Sequence, residues 1–159
     1  MTVDIKELNA NLLEQLILFK EFNRLALLKK DALIQNNLQE LDAVTLQEEQ
    51  LLLQLSVIEE KRLTLIAQVS ETIGRDAVKL TLAELTQIYP ELSSVYTELE
   101  NIIEELRKVH NINTQLIDQA LKTVNFTVNM LAPDDTNIYK NPEQKEASAT
   151  KLHLIDKKI

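Results

Sequence analysis

The chain lacks cysteine altogether and contains a single glycine among its 159 residues. Without cysteine it can form no disulfide scaffold, no thiol nucleophile and no Cys-ligated zinc site. One glycine, three prolines and 4% aromatic residues are too few to build the turns and strands of a sandwich, a barrel or a doubly wound sheet. These absences indicate an all-α fold, and 45% hydrophobic residues are enough for one compact core.

Positive charge is also scarce: the chain has 17 Lys and Arg residues against 25 Asp and Glu residues, which gives a net charge of -8. Proteins bind nucleic acid through clustered cations, so we expect no nucleic-acid partner. The first residues have no basic segment followed by an apolar run, which argues against a secretory signal. No apolar run is long enough to span a bilayer. We therefore expect a cytoplasmic protein without membrane insertion.

The residue sets that carry chemistry are missing as well. Adjacent Glu pairs occur, but the Glu-x-x-His spacing of a helical di-iron site does not, since His110 lies five residues after Glu105 and His153 lies near the C-terminus. Ser, Thr and Tyr have no set of His and acidic partners, and no Gly-rich loop is present to bind a phosphate. We expect no enzymatic activity, no metal and no cofactor.

What the chain does contain is apolar residues that recur every three or four positions, almost without interruption, from Ile5 to Leu131, which is the spacing of amphipathic helices. Breaks in this pattern predict three long helices, over about residues 4–36, 41–73 and 90–132. Short connections favour antiparallel neighbours. Residues 1–132 are therefore predicted to form an elongated antiparallel three-helix coiled coil.

The predicted helix ends have identifiable signals. We expect Asp42 to cap the second helix and Gly74 to end it in the left-handed conformation. Thr81-Leu82-Ala83-Glu84 has the form of a capping box, which predicts a short helix over about residues 81–88. Pro90 suits the first turn of the third long helix, because its missing N–H would have no intrahelical partner there.

Residues 133–159 are polar and contain two of the three prolines, so we predict a flexible C-terminal tail. The end of the tail includes Leu152, Leu154 and Ile155. These residues are apolar enough to order on a partner, although a frayed terminus is about as well supported.

The two predicted N-terminal helices carry more apolar residues than one seam needs. A three-helix core uses two faces of each helix and accounts for most of them, while a groove for an amphipathic partner helix accounts for the rest. Asn113 interrupts the seam of the third helix, where a buried amide would fix register at a cost in stability. The surplus positions are Leu13, Ile17, Leu27, Leu28, Leu52, Leu53, Leu63 and Ile66.

The last third of the chain contains a set of short motifs and single residues with a distinctive order. They are Asn113-Thr114-Gln115-Leu116-Ile117, Asn125, Asn129-Met130-Leu131-Ala132-Pro133, Tyr139 and Lys157-Lys158-Ile159. This set resembles the FlgN-type flagellar export chaperones. Glu59-Glu60-Lys61-Arg62-Leu63 on the second helix is similar to an acidic stretch of that family. The chain departs from the family pattern at His110, where the family commonly has Asn, and at residues 140–143, where it often has glycines.

The resemblance implies a cytosolic chaperone that binds hook-associated junction proteins through their C-terminal amphipathic helices. Such a chaperone prevents premature assembly and delivers its clients to a component of the flagellar type III export gate, without consuming nucleotide. It implies a role for Tyr139 in docking to the gate and a client-binding region from Asn113 to the C-terminus. The candidate partner-binding residues are Asn113, Leu116, Ile117, Asn125, Leu131, Tyr139, Leu152, Leu154 and Ile155.

The heptads alone also support a second hypothesis, a structural coiled-coil adaptor or scaffold subunit that self-associates through the same apolar surface. Homo-oligomerisation is possible under either hypothesis.

Overall fold

The computed structural model describes residues 2–131, with side chains from residue 5 onward. In this part of the chain all regular structure is helical, which confirms the all-α prediction. The predicted tail, with Tyr139, Leu152, Leu154 and Ile155, lies outside the described residues, so the division at residue 133 stays a prediction. The elements are α1 (Thr2–Gln35), α2 (Leu38–Ile73), α3 (Leu82–Ile88), a 3₁₀ turn (Pro90–Leu92) and α4 (Ser93–Leu131).

The turn between α1 and α2 is made by two asparagines. Asn36 has a positive φ of 53°, and the Asn37 N–H donates to the Ala32 carbonyl at 2.9 Å, as in a Schellman helix end. The Asn37 side chain then accepts from the Glu40 N–H at 3.2 Å and caps α2. The prediction that Asp42 caps this helix is wrong, because two Asn residues end one helix and start the next within a single tight turn.

Two of the other predicted helix signals are confirmed, and the third differs in that Pro90 begins a short 3₁₀ turn while α4 itself begins at Ser93. Gly74 ends α2 at φ 71°, in the left-handed conformation. Thr81 and Glu84 form the reciprocal capping box that starts α3. Pro90 occupies the first position of the 3₁₀ turn that leads into α4, where its lack of an N–H leaves no helical hydrogen bond unmade.

The contact pattern divides the chain into two units, Met1–Thr114 and Gln115–Ile159, with the boundary inside α4. In the first unit α1 and α2 run antiparallel, since Asn11 contacts Ile58 while Lys29 pairs with Glu48. Every element of this unit contributes to its core. The side chains with almost no exposure are Leu8, Leu12, Leu25, Val44, Val69, Leu85 and Leu92.

The α1–α2 interface also contains a buried polar layer, formed by Asn11, Gln15, Glu59 and Arg62. Asn11 donates to the Ile58 carbonyl at 3.0 Å, and the Gln15 amide donates to Asn11 at 3.1 Å and to Glu59 at 3.4 Å. Arg62 binds both carboxylate oxygens of Glu59, at 2.8 and 2.6 Å. Two of these bonds cross between the helices, from Asn11 to Ile58 and from Gln15 to Glu59. They form only when the helices are aligned as observed, so they favour this α1–α2 register.

The surplus apolar residues of α1 and α2 differ in burial. Ile66 is buried, and Leu28 and Leu52 are half-buried, so these three belong to the packed interior. The others remain on the surface, where they are 40–72% exposed: Leu13, Ile17, Leu27, Leu53 and Leu63.

Candidate partner-binding site

Asn113 is the first predicted site residue, and the structure places it in the core of the first unit. It is only 3% exposed, and its Nδ2 donates to the Ala26 carbonyl of α1 at 2.9 Å. Its Oδ1 is buried without a hydrogen-bond partner. A buried acceptor without a partner lowers the stability of the fold by about 1–3 kcal/mol. Asn113 is therefore a buried amide at a cost in stability, as the sequence predicts. Its side chain joins α4 to α1 and is not displayed to a partner.

Beyond the unit boundary, α4 exposes a row of apolar side chains that we call the α4 stripe. Its members follow one another by four, three, four and three positions, so they share one face of the helix. Val128 is half-buried, and the other four are 36–81% exposed. The α4 stripe consists of Ile117, Leu121, Val124, Val128 and Leu131.

The α4 stripe repeats the sequence pattern of the buried part of the same helix. Leu99 and Leu106 are 5% and 6% exposed, and 18 positions after them in the sequence stand Ile117 and Val124. Eighteen residues make five turns of an α-helix, at about 3.6 residues per turn. The stripe therefore has the periodicity of a helix–helix interface, but in the described part of the chain no second helix covers it.

The remaining predicted site residues of α4 lie beside the stripe. Leu116 is half-buried and Asn125 is exposed. By helical periodicity, Leu116, Ala120 and Thr127 border one side of the stripe, while Asp118 and Asn125 border the other. We call these five residues the stripe flanks. Ile117 and Leu131, both predicted, are members of the stripe itself.

Sequence reasoning missed Leu121, Val124 and Val128 as candidate site residues, and it missed the polar layer of the first unit. The signal for Leu121 was present, because it completes the four-three spacing from Ile117 to Val124. The signal for the polar layer was Asn11 and Gln15, which fall one turn apart among the apolar seam positions of α1. Neither signal tells which helix faces these residues.

Two hydrogen-bonded pairs of ionisable side chains on the helix surfaces have shifted pKa values. The hydrogen bond from Arg24 lowers the pKa of the Glu21 carboxyl, and donation to Glu100 raises the pKa of the Tyr96 phenol. Among residues whose placement is described, no three His, Asp or Glu side chains come together as metal ligands would. None of the described helices has the length and apolar character needed to cross a membrane.

Among the surfaces that the structure describes, the α4 stripe is the one we select as the candidate binding surface for a partner helix. It offers an apolar row at helical spacing, and an amphipathic helix can cover such a row with its own residues at i, i+3, i+4 and i+7. The arrangement supports binding by apolar burial.

Comparison with known proteins places the chain in a protein family. The profile of a protein family, described as FlgN protein, matches residues 1–147. No curated protein and no solved structure matches the chain. The matched range covers well over half of the 159 residues and includes every helix described above.

Proposed function

Because the chain belongs to the FlgN family of flagellar export chaperones, we propose that it binds hook-associated junction proteins through their C-terminal amphipathic helices. In this role it keeps its clients from assembling prematurely in the cytoplasm and delivers them to a component of the export gate. Binding and release are sufficient for this work, and no catalysis is required.

The observation that carries the proposal is the exposed α4 stripe. Covering each partly exposed stripe residue contributes about 1 kcal/mol, by its remaining apolar surface. The sum for the five residues of the stripe is similar to the low end of the cost of association, about 4–15 kcal/mol. The stripe alone therefore supports weak binding, and further contacts are needed for a stable complex.

We propose that the tail supplies those contacts. Leu152, Leu154 and Ile155 would add apolar area against the client helix, and a segment that orders only on binding contributes area at an entropic cost. Tyr139 is proposed to dock to the gate component, as in the family pattern. These roles rest on the resemblance and concern residues outside the described part of the chain.

The test is calorimetric titration of the full chain with a synthetic peptide from the C-terminal helix of a hook-associated junction protein. We expect saturable binding with a negative heat-capacity change, the mark of apolar burial. The double variant Leu121→Ala/Val124→Ala should bind at least about tenfold more weakly. Leu→Ala removes three carbon atoms and Val→Ala removes two, and covering about two of these by the client already contributes about 1.4 kcal/mol.

The matched control is Leu53→Ala/Val57→Ala on α2, which truncates the same two residue types at positions 72% and 68% exposed. This control should keep its affinity within about twofold, since a change of 0.4 kcal/mol is about that factor. Equal losses in the two double variants would show that the stripe is not the client site. Absence of binding to any junction-protein helix would reject the proposed function.

The adaptor hypothesis is the second candidate. It is favoured by the absence of charged residues from the stripe, because no like-charge repulsion then opposes pairing of two copies. Analytical ultracentrifugation distinguishes the two. An adaptor would form a permanent large oligomer that the Leu121→Ala/Val124→Ala variant disperses. A chaperone would leave the stripe open to the client peptide.

A further inference from the structure

The α4 stripe lies in the least charged part of the described chain. Residues 115–131 contain one acidic and one basic residue, Asp118 and Lys122, whereas the whole chain carries a net charge of -8. The earlier part of the same helix, residues 93–114, contains four Glu, one Arg and one Lys. The surface available for binding is thus nearly uncharged, whereas the protein as a whole is acidic.

The single charge that borders the stripe is Asp118. By helical periodicity Lys122 falls on the side of α4 away from the stripe. The other stripe flanks are Leu116, Ala120, Asn125 and Thr127, which are apolar or polar without charge. A helix seated on the stripe would therefore meet one carboxylate, one amide and one hydroxyl.

The Thr127 hydroxyl already donates a hydrogen bond within α4. Thr127 Oγ1 donates to the Thr123 carbonyl at 2.9 Å, so its remaining capacity is as an acceptor. The Asn125 side chain is exposed and offers an amide with two donors and an acceptor. Donors and acceptors of this kind match the amides and hydroxyls of a partner, whereas a charged partner group would lose hydration and find no counter-charge except Asp118.

We propose that the α4 stripe selects an amphipathic helix whose apolar row is bordered by uncharged polar residues, Asn, Gln, Ser and Thr. This inference rests on the proposed function and narrows the class of client helix. It contrasts with the basic helix that an acidic protein attracts by its long-range field. Because screening by salt acts on charges, binding at an uncharged interface is insensitive to ionic strength.

The experiment uses two synthetic helical peptides with the same Leu and Ile heptads. One has Gln, Asn and Thr at the positions that flank the apolar row, and the other has Lys there. Each is titrated into the full chain at low and at high NaCl concentration. We expect the uncharged-flank peptide to bind more tightly at both, with an affinity that changes less than about threefold between them, since an exposed pair of charges is what salt screens.

Two substitutions on the stripe flanks are expected to shift the preference from the uncharged-flank peptide towards the Lys-flanked peptide. Ala120→Glu/Thr127→Glu places two carboxylates beside the stripe, and the Lys-flanked peptide should then gain affinity by about tenfold, with a steep dependence on salt. The matched control Gln47→Glu/Gln54→Glu adds the same charge at exposed positions of α2. That control should leave the preference unchanged if local charge, rather than net charge, decides.

The outcomes separate this inference from the proposed function. If the junction-protein peptide binds but the Lys-flanked peptide is preferred, or if binding falls steeply with salt, the flank inference is overturned and the chaperone role stands. If the control variant shifts the preference as much as the flank variant, net charge decides and the inference again fails. If no junction-protein peptide binds at either salt concentration, both are rejected.

Discussion

The two stretches of α4, Ser93–Thr114 and Gln115–Leu131, have the same apolar periodicity but opposite burial. Leu106 in the first stretch is 6% exposed, and Val124, 18 positions later, is 46% exposed. Local sequence therefore specifies which face of a helix is apolar. It does not specify whether another helix covers that face. The second stretch has the apolar periodicity of a helix–helix interface, and we propose that a partner supplies the other half.

The two stretches also differ in how their polar faces are kept in water. The first uses Glu98, Glu100, Glu104 and Glu105, with Arg107 and Lys108. The second uses Gln, Asn and Thr with only one pair of opposite charges. Charge suits a surface that stays solvated, whereas amides and hydroxyls are less costly to bring near a partner. This difference supports a binding role for the second stretch.

The largest expected effect comes from truncating one leucine in each stretch. Leu106→Ala removes a buried side chain and should lower the free energy of unfolding by about 3 kcal/mol. Leu121→Ala removes a side chain that is 46% exposed and should change it by no more than about 0.5 kcal/mol. Urea unfolding followed by circular dichroism measures both.

We expect the opposite order of effects when the two variants are compared for binding of the client peptide. Leu121→Ala should weaken peptide binding, whereas Leu106→Ala should retain it under conditions where the protein stays folded. Similar unfolding costs for the two variants would mean that the stripe is covered in the free protein, and the contrast between the stretches would then be lost.

An intermediate effect is expected at the polar layer, which gives the α1–α2 interface a specificity that the α4 stripe lacks. Glu59→Gln removes the charge that Arg62 binds through two hydrogen bonds and should cost about 1–2 kcal/mol, the range for hydrogen bonds to charged groups. Thermal unfolding is the measurement. Glu60→Gln, at the exposed neighbouring position, is the control and should have almost no effect. A Glu59 variant as stable as this control would show that the layer contributes nothing to stability.

The smallest effect is expected at Asn113, where the buried stretch of α4 ends. Asn113→Leu removes the bond to the Ala26 carbonyl and also the orphaned Oδ1. These two changes oppose each other, so stability should rise by zero to about 1 kcal/mol. Denaturant unfolding tests this, with Asn111→Leu at an exposed position as the comparison. A clear loss of stability in Asn113→Leu alone would make the amide a net stabiliser of the α4–α1 contact.

The helices themselves were largely predictable. Gly74, the Thr81 capping box and Pro90 act within a single turn, so their effect can be read from neighbouring residues. The start of α2 was misplaced because Asn37 and Asp42 are both competent caps, and the Asn36 turn decides between them. Among the candidate site residues, the sequence indicated Ile117 and Leu131 correctly as apolar positions of α4, but it did not separate them from buried residues of the same spacing.

The sequence by itself determined an all-α chain, the ends of most helices and the apolar face of each helix, because these depend on residues within one or two turns. Only the tertiary structure decided that Asn113 contacts Ala26, that Glu59 and Arg62 lie in a layer with Gln15, and that the α4 stripe is exposed. Such pairings join residues far apart in the chain, and the same apolar spacing serves equally well for a core and for a binding surface.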